Sequence, residues 1–244
     1  MNIYSSLQIG AYHTNHCEDY LFVGSIGHDR LLCAVLDGCT MGIDSYFVST
    51  LAGKLLRKIA KEKEYEAFYN AAPAVSLDSS LKAIVSDLFR ELSVARNHLM
   101  LEQKELLTTL LLLIFDEQTK QGIILAIGDG LASVNGEIFD FDQENKPDYL
   151  GFHLSENFEE WYACQTQKIT FENAHDISIA TDGIFTFTPV TSPKNALLVD
   201  PVSFLIVDQS LDGSGDLLQL KLKKMEHQFG LQPTDDLAII RLIL

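Results

Sequence analysis

The chain has 244 residues, 34 acidic against 18 basic, for a formal charge of −16 with 47% hydrophobic content. Such a surface repels nucleic acid and anionic lipid, so neither is an expected partner and cations are the natural small ones. The densest apolar run, 106–115, is cut by Thr108 and Thr109 and falls short of the roughly 18 to 20 residues that a membrane span needs.

Composition alone names no ligand, because net negative charge also serves solubility. Met1-Asn2-Ile3-Tyr4 shows no basic region ahead of an apolar core, so no export signal is read and the cytoplasm is the expected compartment. Cys17, Cys33, Cys39 and Cys164 form no CxxC pair and are expected as reduced thiols.

In chain order, Tyr20 to Ser25 and Arg30 to Leu36 are β-rich runs around a Gly27-His28-Asp29 turn, which predicts a hairpin. The apolar spacing of Phe47, Leu51, Leu55 and Ile59 predicts a helix over about 44–64. That of Leu81, Ile84, Val85, Leu88 and Leu92 predicts a second over about 77–101. Three strand-like runs follow, 106–115, 122–127 and 131–134, read as one antiparallel meander. The aperiodic segment 141–161 reads as a surface loop.

Strands resume at 167–171 and 176–180. Two helices are predicted over about 200–209 and 215–229, and a nearly all-apolar strand, 237–243, is expected to be central. Strand runs cluster apart from helix runs, which favours an α+β class with antiparallel sheets in one domain spanning 1–244.

Four acidic motifs fall at strand ends: Glu18-Asp19, Asp37-Gly38, Asp182-Gly183 and Asp235-Asp236. Each alone is ordinary turn chemistry. Together they can converge at one sheet edge, where several anions cannot all stay ionised without cations. Oxygen-only donors favour Mg²⁺ or Mn²⁺ over zinc, and a glycine after the aspartate lets a backbone carbonyl approach as a further ligand.

The order and content of these motifs resemble the metal-dependent protein phosphatases of the 2C type. Cys17-Glu18-Asp19 is similar to the family's acidic pair, and Val35-Leu36-Asp37-Gly38 matches in part its Asp-Gly-x-Gly-Gly. Leu107-Thr108-Thr109-Leu110 resembles its Gly-Ser-Thr strand, and Ile127-Gly128-Asp129-Gly130-Leu131 its Val-Gly-Asp-Ser-Arg turn. Ala180-Thr181-Asp182-Gly183 resembles Ala-Ser-Asp-Gly, and Asp235-Asp236-Leu237-Ala238-Ile239 the terminal Asp-Asn motif.

The resemblance implies a four-layer α-β-β-α sandwich around two antiparallel sheets, with two Mg²⁺ or Mn²⁺ ions at one end. It implies that Asp37 bridges both ions, Gly38 offers its carbonyl, Asp182 and Asp235 ligate one ion, and Glu18 acts directly or through water. Asp19 would stand behind these. The implied reaction is hydrolysis of phosphoserine and phosphothreonine in a phosphorylated protein by a metal-activated water.

Some positions depart from the pattern. The family's phosphate-holding arginine falls at Thr14; His13 or His16 could substitute, or be ordinary surface residues. Cys39-Thr40-Met41-Gly42 rewrites the glycine loop. Lys104 and Glu105 stand where some members carry an aspartate for a third metal, so no strong third site is expected. Asp236 replaces a common asparagine, either to help bind metal or to face solvent. An active phosphatase, a pseudophosphatase acting as a binding module and an acidic scaffold all stay open at this point, as does the oligomeric state.

Overall fold

In the computed structural model, residues 1–69, 75–142, 148–190, 199–210 and 214–244 are described. The apolar runs become two five-stranded sheets in which every pairing is antiparallel. One has the order β2 (Tyr20–Ser25), β3 (Arg30–Leu36), β4 (Leu110–Asp116), β5 (Gln121–Ile127), β8 (Lys168–Phe171). The other has the order β1 (Asn2–Gln8), β12 (Leu237–Ile243), β9 (Asp176–Ala180), β6 (Gly130–Val134), β7 (Glu137–Phe141). A short ribbon, β10 (Phe187–Pro189) with β11 (Leu231–Pro233), lies beside them.

Strand β3 shows why the central runs are apolar throughout. Its side chains alternate between two cores: Leu32, Ala34 and Leu36 face the helices, whereas Cys33 and Val35 enter the space between the sheets. Helices α1 (Ser45–Tyr69) and α2 (Leu77–Leu99) cover the first sheet with Leu56, Ile59, Leu81, Ile84 and Leu88. Ser76 caps α2 by accepting from the Ser79 N–H. On the second sheet, helix α5 (Leu217–His227) and a π-helical turn, Ser203–Val207, pack Leu218, Leu222, Leu205 and Ile206 against Leu131 and Ile239. The result is the expected α-β-β-α sandwich. None of the described helices is long and apolar enough to cross a membrane.

The expected meander is corrected. Strands β4 and β5 pair, but β6 leaves for the second sheet. The turn between β5 and β6 holds Gly128 at φ +86 and Gly130 at φ +151, and a Cβ on Gly128 would lie 2.6 Å from the Asp148 carbonyl oxygen. Only glycine permits this crossing, and its length is the same as a hairpin's. After it, Asn135 (φ 53) and Gly136 (φ 85) make the tight turn into β7, a strand the sequence reading left unassigned.

The expected surface loop over 141–161 is corrected as well. It contains α3 (Leu150–His153) and the start of α4 (Phe158–Ala163), with residues 143–147 outside the described ones. Leu150 and Trp161 are buried in the helix-side core, Trp161 with its ring 4.7 Å from that of Phe89. Helix α1 runs on to Tyr69 instead of ending near Glu64, and the predicted helix over 200–209 is present over 201–207, mostly as the π-helical turn.

That turn is tied to the sheet by buried cations. Arg241 on β12 is fully buried; its Nε and Nη2 donate to the Asp176 carboxylate at 3.0 and 2.6 Å, and its Nη1 donates to the carbonyls of Leu205 and Asp208. Lys221 on α5, also fully buried, donates to the Phe204 carbonyl at 2.7 Å. Arg241→Ala would leave Asp176 as an unpaired buried charge and is expected to cost about 3–5 kcal/mol in chemical denaturation; a loss under about 1 kcal/mol would be a surface-like effect and would contradict this assignment.

Candidate metal centre

Antiparallel pairing brings the four acidic motifs to one end of the sandwich. Glu18-Asp19 lies just before β2 and Asp37-Gly38 just after β3, its antiparallel neighbour. Asp182-Gly183 follows β9 and Asp235-Asp236 precedes β12, which pair in the same way in the other sheet.

Glycines then allow the backbones to close up. A Cβ on Gly38 would sit 2.1 Å from the Ser45 carbonyl oxygen, one on Gly183 1.8 Å from that of Asp236, and one on Gly10 2.2 Å from the Asp235 carbonyl carbon. Real Cβ atoms do not approach backbone so closely, so the glycine in each Asp-Gly pair is a packing requirement as well as a turn residue.

Hydrogen bonds complete the assembly. The Gly38 N–H donates to the Glu18 carbonyl at 3.1 Å, joining the first two motifs. Asp236 joins the fourth to the first: its Oδ1 accepts from the Gly10 N–H at 2.7 Å and its Oδ2 from the Glu18 N–H at 2.5 Å. Asp236 is 1% exposed, so the solvent-facing alternative does not hold. Thr181 Oγ1 accepts from the Ala238 N–H at 2.9 Å and donates to Asp19 Oδ2 at 2.6 Å. The Thr108 hydroxyl and the Thr109 N–H both donate to the Asp37 carbonyl at 2.8 Å. Thr40 Oγ1 donates to Glu18 Oε2 at 2.9 Å.

Burial is the main force on the carboxyls. It lifts Asp37 well above the ordinary carboxylate range, with repulsion from Asp19, Asp182 and Asp235 adding to it. It pushes Asp19 up to about 7, against the hydrogen bond from Thr181 and with help from Asp236 and Asp182. Asp182 is pushed up to about 6 by burial and then by Asp235 and Asp129. These influences place Asp19 near Asp37 and Asp182, and Asp235 near Asp37 and Asp182.

Among the described residues, no lysine or arginine pairs with any of these four. Asp19 Oδ1 is buried without a partner. Nor, among those residues, do three His, Cys, Asp or Glu side chains stand as a ready ligand set for one ion. The donor chemistry and the orphaned oxygen fit a hard divalent cation; the side chains as they stand do not form a closed cage.

The two histidines part company. His13 Nδ1 lies 2.9 Å from Asp236 Oδ2 and Nε2 3.8 Å from Asp235 Oδ1. Burial lowers its pKa, but Asp236, Glu18 and Asp235 outweigh this and hold it above the usual value. His16 instead stacks on Tyr46, centroids 4.2 Å apart. Thr14 lies with both in a cavity of about 340 Å³ that Glu18 and Asp44 also line.

Two neighbours of the site were not among the expected residues. Asp129, in the Gly-Asp-Gly turn, lines a cavity of about 300 Å³ with Asp182 and Asp140, and the turn dipeptide was the available signal. Tyr149 is raised by burial and by a hydrogen bond to Cys39, with Asp37 and Asp129 also acting on it; its aperiodic surroundings carried no signal.

Comparison with known proteins agrees with the fold. A bacterial serine phosphatase variant superposes with a TM-score of 0.66 at 13% identity, covering 100% of this chain and 98% of its own. The serine/threonine phosphatase Stp1 from Staphylococcus aureus gives 0.60 at 14%, covering 99% and 94%. RsbX, solved in complex with magnesium, gives 0.52 at 18%, covering 98% and 92%. No curated protein matches the sequence. The family model for protein phosphatase 2C matches residues 10–212, from Gly10 beside Asp235 to beyond the Asp182-Gly183 motif, and on that match the chain belongs to the protein phosphatase 2C family.

Proposed function

We propose that the chain, as one catalytic domain in the cytoplasm, is a metal-dependent phosphatase that hydrolyses phosphoserine and phosphothreonine in proteins. The observation that carries this reading is the convergence of Asp19, Asp37, Asp182 and Asp235 on one another without compensating lysine or arginine among the described residues. Family membership supports a phosphatase, and the family is generally metal-dependent.

Asp37, Asp182 and Asp235, with the Gly38 carbonyl and Glu18, would hold two Mg²⁺ or Mn²⁺ ions. Bound there, the ions would lower the pKa of a shared water and neutralise the phosphoryl oxygens. The chain's own residues prepare that site. Burial and mutual repulsion favour the protonated forms of Asp19 and Asp37, so protons compete with cations there and cation binding would release them. Thr181 fixes Asp19 behind Asp37, and Thr108 and Thr109 fix the Asp37 backbone. Asp236 is occupied by backbone N–H groups and positions Glu18 instead of supplying a ligand.

One observation favours a second reading, a pseudophosphatase that binds without turnover. Neither lysine nor arginine lines the cavity around Thr14 among the described residues, and His13 is engaged by Asp236. A phosphate there lacks the bidentate donor that a guanidinium provides.

Mn²⁺-dependent hydrolysis of p-nitrophenyl phosphate and of a phosphothreonine peptide decides between them. The phosphatase reading expects turnover by the wild type and a loss of roughly a hundredfold or more in Asp37→Asn and Asp182→Asn; no turnover at saturating Mn²⁺ would leave the binding module. The pH dependence is a separate check. Asp19 near 7 and Asp182 near 6 lie above the value of about 4 in an unfolded chain, so the folded state binds more protons between these limits. In chelated protein their contribution is fully present below about pH 4 and is lost as pH rises through about 6 to 7, so Tm should fall across that window, and Mn²⁺ should reverse the fall. A metal-free Tm that is flat or rises there would contradict the shifts.

A further inference from the structure

Strand β1 is an outer strand of its sheet, hydrogen-bonded on one side to β12 and, among the described residues, to no strand on the other. Its sequence, Asn-Ile-Tyr-Ser-Ser-Leu-Gln, holds no charge, proline or glycine, the residues with which sheet edges are normally protected from pairing. The other outer strands differ. β7 carries Glu137 and Asp140, β8 carries Lys168, and β2 holds Gly24 and packs Tyr20 against Gly53 of α1.

The exposed residues of this segment follow a pattern. Tyr4 and Ser6 are buried, Tyr4 in the core on the α5 side. The odd positions turn the other way: Ile3, Ser5 and Leu7 pair in register with Leu242, Ile240 and Ala238, all three in the core between the sheets. At the rim that face is uncovered, leaving Met1, Ile3, Leu7 and Ile9 between 41% and 47% exposed. An open groove of about 620 Å³ runs alongside, lined by Leu7, Tyr20, Leu21 and Leu222 and, on the α5 side, by Lys223 and Glu226.

These apolar positions are symmetric about Ser5. In an antiparallel pair of identical strands related by a two-fold axis at Ser5, Ile3 stands opposite Leu7, Met1 opposite Ile9, and Ser5 opposite itself. Every exposed apolar side chain then meets another, and the free N–H and C=O groups of both edges are satisfied. We infer that two copies of this chain associate through β1, joining their second sheets into one continuous ten-stranded sheet. The contact uses none of the acidic residues, although Ile9 adjoins Gly10 at that end, so this association does not require the phosphatase reading.

A single pair of strands makes a small interface, so association is concentration-dependent. Sedimentation velocity over a concentration series extending well above micromolar should show a species of twice 27.2 kDa. Ser5→Lys, at an exposed position, sets like charges directly opposite each other and should weaken the dimer at least about tenfold with the melting curve otherwise retained. Ser5→Cys tests the register: opposed residues about 4.5–5.5 Å apart suit a disulfide, so oxidation should give a covalent dimer that wild type, with its native cysteines, does not give. Ile3→Cys alone should not cross-link. A wild type that stays monomeric throughout, a dimer unaffected by Ser5→Lys, or cross-linking by Ile3→Cys equal to that by Ser5→Cys would overturn the proposal.

Discussion

The structure of the acidic end turns on one conflict: several carboxylates are brought close together in a place where burial already disfavours their charge. The repulsion around Asp37 is opposed by backbone geometry. Gly10, Gly38 and Gly183 remove the side chains that would hold the four strand-end segments apart, and Asp236 fastens two of them with a pair of short hydrogen bonds to N–H groups. Neutral donors from Thr181, Thr108 and Thr109 hold the site without supplying countercharge. A site built this way is electrostatically incomplete by construction, and a cation or a proton must complete it.

The sandwich makes that construction possible. Strands β3 and β9, both interior to their sheets, end at the same edge of two stacked sheets and so carry Asp37 and Asp182 to one place. Loop segments at the rim, by contrast, carry the departures from the family pattern. Thr14 lines a cavity with Glu18, and Thr40 of the rewritten Cys39 to Gly42 turn donates to Glu18. The fold and the Asp-Gly motifs therefore follow the family pattern, while the segments around Thr14 and Cys39 depart from it.

Much of this was legible in the sequence where burial imposes a simple pattern. Strands β2, β3, β9 and β12 appear at the expected residues because each is an apolar run bounded by turn residues or charges. Strand β1 was missed because its polar Ser5 and Ser6 break the alternation. The passage of β6 to the second sheet was missed because Gly128-Asp129-Gly130 reads as a hairpin turn, and local spacing does not encode which sheet a strand joins. Among site residues, the Asp-Gly pairs announced themselves; the structural use of Asp236 depends on partners more than two hundred positions away and is visible only in three dimensions.

The central claim is that the cluster around Asp37 is completed by divalent ions. Titration calorimetry of Mn²⁺ into metal-free protein at about pH 6, repeated in buffers of different ionisation enthalpy, tests it directly. The account predicts two ions bound per chain, protons released as the carboxyls exchange them for metal, and loss of this binding in Asp37→Asn. Absence of binding heat in the wild type, or binding unchanged by Asp37→Asn, would contradict it.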